Sequence, residues 1–335
     1  MTATLSCRGP DSAAMPPAIR ASVDGVRGTR SGRSRRQQRE ASMQAVSSFE
    51  TTDGVRLTVR ESGPRAAPVT VVFAHGWTLD GGSWDDLIAV LGRSATRPAR
   101  LIAVDCRGHG SSGAAQAGSA TIARYADDLA EIVGRLVPDG PIVLVGHSMG
   151  GMAMMALGER HPGLVRDRVA AAAFLATGAG RFDKSIDRVR GLRTALPVLL
   201  GLGFRALNHL PAPLRYRAVE RLLFGFGARR ADIERTAGQM RRADPRSMPR
   251  FGVDILDHDR AAHLDRYAAA EVLVAAGSRD RLCPPSHARK IASRLPDATL
   301  VVYEGAGHQL SFERSEDLAR RLAGLLERVA SDRTA

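Results

Sequence analysis

Ser148, Asp280 and His308 have the residue types, and the order along this chain of 335 residues, that nucleophilic acyl transfer needs. A serine hydroxyl becomes a useful nucleophile when an imidazole takes its proton. The imidazole is kept in the right tautomer when a carboxylate holds its other nitrogen. Ser148 lies in Gly146-His147-Ser148-Met149-Gly150, a G-x-S-x-G pattern preceded by the apolar run Ile142–Val145. Such a serine sits on a sharp turn from a buried strand into a helix, its hydroxyl projecting into a cleft. The flanking glycines allow strand and helix to cross closely, and the helix N-terminus offers unpaired N–H groups to a nearby anion. His308 follows a strand in Glu304-Gly305-Ala306-Gly307-His308, and Asp280 follows the strand before it in Ala276-Gly277-Ser278-Arg279-Asp280. Serine, acid, histidine is the triad order on a parallel α/β sheet.

The other chemistry-bearing residues have simpler readings. Asp280 has a rival role as a cap for the segment at Pro284, in which case Asp254 would serve as the acid. His147 and His109 read as structural. His258, Asp259 and His263 form a loose metal-like group, but an i, i+5 spacing does not put both imidazoles on one helix face. They are assigned to a surface or lid helix, and no metal or other cofactor is expected. Cys106 and Cys283 lack a base at a predictable spacing and are assigned to packing.

The elements that must position the triad alternate. Ser48–Glu61 reads as two strands joined at Asp53-Gly54. Strands at 69–74, 101–105, 141–146 and 169–175 are separated by helical patterns at 84–91, 122–137 and 149–160. This alternation predicts an α/β fold, a mostly parallel sheet with helices on both faces. Between about Gly178 and Arg266 it gives way to Pro-punctuated helical pieces, and it resumes with strands at 271–276 and 299–303 and a final helix over 315–329. The chain therefore divides into a core of residues 46–177 and 267–335 and a helical lid over 178–266. Within the lid, the apolar run 196–204 makes Leu199, Leu202 and Phe204 the candidates for substrate contact.

Composition narrows the alternatives. The net charge is +13, but its excess is local. Residues 1–45 hold 8 arginines against 3 acids, residues 178–266 hold 18 basic residues against 10 acids, and the remainder is balanced. Aromatics make up only 4% of the chain, too few for base-stacking platforms, so no nucleic-acid partner is expected. Residues 1–45 read as a disordered basic extension, or as sequence upstream of a start at Met43. An Arg35-Arg36 pair is present without the apolar stretch an export signal needs. Three cysteines without pairing or metal spacing fit reduced thiols in the cytoplasm. No apolar run approaches the length of a membrane helix.

These motifs resemble the α/β-hydrolase superfamily. The resemblance rests on His75-Gly76-Trp77, on Asp105-x-Arg107-Gly108-His109-Gly110-x-Ser112, on the serine motif, on Gly277-x-x-Asp280 and on Gly307-His308. It covers about residues 47–177 and 267–330. It implies that Trp77 and Met149 supply backbone N–H groups to an oxyanion hole, that His75 is structural, and that the 107–112 loop shapes the site without doing chemistry. It also implies that a serine, rather than an aspartate, performs acyl transfer on a small-molecule ester. The same motifs occur in thioesterases, lactonases, C–C hydrolases, cofactor-free haloperoxidases and non-catalytic receptors, and do not separate them.

Overall fold

A computed structural model describes residues 45–180 and 192–331. The basic extension expected over residues 1–45 lies outside them, except for Ala45. Eight strands form one sheet: β1 (Ala45–Glu50), β2 (Arg56–Ser62), β3 (Thr70–Ala74), β4 (Arg100–Val104), β5 (Ile142–His147), β6 (Val169–Leu175), β7 (Glu271–Gly277) and β8 (Thr299–Tyr303). Their spatial order is β1-β2-β4-β3-β5-β6-β7-β8. The β1–β2 hairpin attaches antiparallel to β4, and every other pairing is parallel.

Helices fill the crossovers, α1 (Asp85–Ser94), α2 (Ile122–Leu136), α3 (Met149–Arg160), α4 (Pro162–Arg168) and α9 (Pro285–Ala292), and the short α10 (Leu310–Glu313) and α11 (Ser315–Ser331) follow the last strand. Alternate residues of each buried strand feed opposite faces, as a period of two requires. Val72, Ile102 and Leu144 pack on the face with α2 and α3. Val71, Phe73, Val143 and Val145 pack on the face with α1 and α11.

The described part of the segment between β6 and β7 is helical, with α5 (Leu192–His209), α6 (Ala212–Leu223), α7 (Arg230–Arg242) and α8 (Met248–Asp257) followed by a 3-10 turn over Ala261–Tyr267. α5 runs through Pro197. Val219, Leu223, Phe224, Ile233, Ala237 and Met240 give this insertion a small core of its own, to which Phe312 of the main body adds. Polar contacts tie it down elsewhere. Gln239 donates to Asp80 at 2.8 Å and Arg242 pairs with the same carboxylate at 2.5 Å. Arg235 bonds Asp86 at 2.9 Å. Asp254 on α8 accepts from the Ile122 N–H at 2.7 Å, supplying an acceptor to the open first turn of α2.

The register brings the functional loops to one level. Ala74 pairs with both Val104 and Gly146, and Gly277 pairs with Tyr303. The residues just past these strands, including Gly76, Ser148, Asp280 and His308, therefore emerge at the C-terminal edge, where open α/β sheets bind ligands.

Candidate active site

Ser148 connects β5 to α3 with φ 51° and ψ −119°. Positive φ is strained for a residue with a Cβ, and a tightly packed turn must hold it there. The packing is visible at two glycines. A Cβ on Gly150 would run into the carbonyl oxygen of Ala74, and one on Gly146 would meet Met154 Sδ at 2.5 Å and Gly151 N at 2.6 Å. The serine backbone is held from both sides. Its N–H donates to Leu175 O at 2.9 Å, and its carbonyl accepts from Thr177 Oγ1 at 2.7 Å.

Asp280 and His308 meet directly. His308 Nδ1 lies 2.8 Å from Asp280 Oδ2, and both residues are buried. Facing a carboxylate, Nδ1 carries the proton, which leaves Nε2 bare. The other oxygen of Asp280 accepts from the N–H groups of Leu282 and Cys283, both at 2.8 Å. Asp280 thus bonds the histidine and also caps the turn before α9. Asp254, the other acid considered, is occupied at the start of α2. No direct hydrogen bond joins the Ser148 hydroxyl to His308 among the described residues. Such catalytic hydrogen bonds are often long in the absence of substrate and tighten when it binds.

His147 links the two loops. Its Nε2 donates to the carbonyl oxygen of His308 at 2.8 Å, and the two rings stand 4.8 Å apart. Burial, with the neighbouring His308 adding to it, lowers the His147 pKa to about 3. The imidazole is therefore neutral and acts as a fixed donor.

Gly76 packs close to the serine, so that a Cβ there would stand 3.1 Å from Ser148 Cβ and 2.8 Å from His147 Nδ1. This brings the Gly76–Trp77 peptide beside Ser148, opposite the first turn of α3, which begins at Met149. His75 lies directly behind. Its Nε2 accepts from Cys106 N–H at 2.9 Å and its Nδ1 faces Gly76 O at 2.8 Å, pinning the loop after β3 to the loop after β4. Burial lowers the His75 pKa, so it too is neutral.

The 107–112 loop is held by charge. Arg107 is buried and forks onto Asp128 at 2.7 and 2.8 Å and onto Asp53 at 2.8 and 3.1 Å. Burial works against its charge, but these bonds outweigh it and raise the guanidinium pKa. His109 is lowered to about 3, by burial first and by His75 next. Burial also raises the Cys106 and Cys283 thiols well above their usual value, so neither supplies a thiolate nucleophile.

The insertion reaches the site through residues with no motif. Trp77 Nε1 donates to Met248 O at 3.1 Å. A side chain at Gly252 would meet Leu200 Cδ1 at 2.9 Å and Trp77 Cζ2 at 3.2 Å, so Leu200 and Trp77 flank the same point on α8. Of the lid candidates, Phe204 is buried in the main core, whereas Leu199 and Leu202 are 51% and 59% exposed. His258 is buried against Arg260, and His263 lies 3.7 Å from Glu159.

Residues 69–315 match a family model described as the alpha/beta hydrolase fold. A monoacylglycerol lipase from Mycolicibacterium smegmatis is 28% identical over 285 residues, which cover 83% of this chain and 95% of that protein. A pimeloyl-[acyl-carrier protein] methyl ester esterase from Neisseria meningitidis is 29% identical over 282 residues, covering 83% and 82%. The solved structure of a thermophilic esterase from Thermogutta terrifontis aligns with a TM-score of 0.68 at 24% identity, covering 86% of this chain and 99% of that one. That likeness bears on the fold alone.

Proposed function

This chain belongs to the α/β-hydrolase fold family, and we propose that it is a carboxylic ester hydrolase acting through an acyl-serine intermediate. The observation that carries this reading is the commitment of His308 Nδ1 to Asp280, next to a serine in the backbone conformation of a nucleophile elbow. The lipase and the methyl ester esterase among the relatives support ester bonds as the substrate class.

In the first half-reaction, Ser148 Oγ attacks the ester carbonyl carbon as its proton passes to His308 Nε2. The developing oxyanion is held by the N–H groups of Trp77 and Met149, aimed at charge that exists only in the transition state. His308 then gives the proton to the departing alkoxide, releasing the alcohol and leaving the acyl-serine. Water repeats the sequence and frees the acid. Asp280 remains ionised throughout and stabilises the imidazolium.

The described helices of the insertion, residues 192–266, act as the lid over this site, and their contact with Trp77 supports an apolar acyl-binding wall that includes Leu200. Phe204 of the same helix is buried in the main core, whereas Leu199 and Leu202 face outward. The test is a series of p-nitrophenyl esters of increasing acyl length, assayed with wild type and Ser148→Ala. Wild-type kcat/KM should rise to medium chains, and Ser148→Ala should lose about 10⁴-fold or more of kcat. Full activity in Ser148→Ala would sink the mechanism, and a flat or falling chain-length profile would reject the acyl wall.

A further inference from the structure

The backbone on either side of His308 is clamped by one half-buried carboxylate that no catalytic step uses. Glu313 accepts from Gly307 N–H at 2.9 and 3.1 Å and from Gln309 N–H at 3.1 Å, the two residues flanking His308. It also accepts from Gly225 N–H, in the insertion, at 2.8 Å. Three donors from two parts of the chain thus converge on two oxygens.

The same stretch of the insertion touches the histidine loop at every step. His308 N–H donates to Leu223 O at 2.8 Å, and Phe226 N–H donates to Gly305 O at 2.9 Å. The approach is backbone to backbone. A Cβ on Gly225 would run into the Gly305 carbonyl oxygen and meet Gly307 N at 2.6 Å, and one on Gly307 would meet Gly225 N at 2.5 Å. His308 therefore stands between Asp280 and His147 on the core side and a strap over residues 223–226 on the other.

We propose that Glu313 is a positioning residue for His308, and that by holding Gly225 it makes docking of the 223–226 strap a condition of an assembled triad. The proposal rests on the ester-hydrolase reading for its kinetics but not for its geometry. Glutamine at 313 keeps the shape but offers a single acceptor oxygen and turns an NH₂ group toward two of the three N–H donors. At least one donor then loses its partner, and the loop bearing His308 shifts. Misplacement of a catalytic group by about 1 Å costs on the order of 100-fold in rate.

The experiment compares wild type, Glu313→Gln, Glu313→Asp, Gly225→Ala and Ser148→Ala. Each is assayed for p-nitrophenyl butyrate hydrolysis, for thermal stability, and by proton NMR for the far-downfield resonance of the proton between His308 and Asp280. Glu313→Gln should remain folded, lose kcat by about 10- to 100-fold with KM unchanged, and broaden or lose the downfield resonance. Glu313→Asp keeps two acceptors and should recover part of the loss. Gly225→Ala pushes the strap off from the other side and should reproduce the effect with Glu313 intact, which keeps the test open if Glu313→Gln does not fold. A folded Glu313→Gln or Gly225→Ala protein with wild-type kcat, a loss confined to KM, or an unchanged resonance would overturn the proposal. A wild-type chain that hydrolyses no ester, but whose resonance still depends on Glu313, would refute the ester-hydrolase reading and leave the positioning role standing. Ser148→Ala should keep the resonance and lose the turnover.

Discussion

At the scale of single residues, the site depends on which atom carries which proton. Asp280 divides its oxygens between His308 and the 282–283 turn. An Asp280→Asn protein should keep the turn by leaving its amide oxygen there, which directs the NH₂ group at His308 Nδ1. The imidazole then moves its proton to Nε2 and has no lone pair to offer Ser148. If Asp280 is the triad acid as proposed, kcat should fall about 10⁴-fold, with little change in melting temperature; kinetics and calorimetry on one preparation check both. Much of this was legible in the sequence, because Gly146-x-Ser148-x-Gly150 and Gly307-His308 are short patterns whose geometry is dictated locally. The cap at Asp280 was legible only as a rival to a bond with His308, whereas its two oxygens do both. The support from His147 was hidden, because the partner of Nε2 lies 161 residues away.

Elements obey a different logic, in which contact between backbones matters more than chemistry. α3 starts where β3 and β5 leave space only for hydrogen atoms, so Gly150→Ala would drive a methyl group into the Ala74 carbonyl. Overpacking of this kind costs about 1–3 kcal/mol. Here it should also push the N-terminus of α3 away from Ser148, lowering both melting temperature and kcat while leaving Ser148 in the chain. A mutant protein as stable and as fast as wild type would show that the crossing is looser than it looks. The insertion was legible as helical but not in its facing. Residues 196–204 are apolar at nearly every position, so no period distinguishes the side of α5 that meets α8 from the side that meets solvent. That is why Leu200 was passed over while Leu199 and Leu202 were singled out. Nor did any pattern announce Leu223 and Gly225 as neighbours of His308. Their bonds are made by main-chain atoms, which every residue type carries.

For the molecule as a whole, the main electrostatic consequence of folding is a set of imidazoles kept neutral. His109, His147 and His258 are each lowered to about 3, by burial first and then by a neighbouring His75, His308 or Arg260. Below their ordinary pKa of 6.5 the unfolded chain takes up protons that the folded one refuses. Stability is therefore present above pH 6.5 and is lost as the pH falls toward 3. At pH 5 each such histidine removes about 2 kcal/mol. Asp128, Asp254 and Glu313, raised by burial, act in the opposite sense and soften the decline. Asp53, held low chiefly by Arg107, adds to it only below the usual carboxylate range. Melting temperature should drop steadily from pH 7 to pH 5, and His258→Gln, which cannot titrate, should flatten that slope. A level profile across this interval would mean that the three rings are more hydrated than their burial implies.

The strap over residues 223–226 lies in the chain between Ser148 and its two proposed partners, Asp280 and His308. By the time Ser148 has been synthesised, β3, β4 and β5 can already pair. The seat of His308 needs β7 for Asp280, α10 for Glu313 and the strap for Leu223 and Gly225. A folding intermediate in which the central strands are paired but the strap is still loose would have an elbow without a base. On the proposed mechanism, Ser148 would then stay without its base until the strap docks, and competence would be a property of the finished tertiary structure.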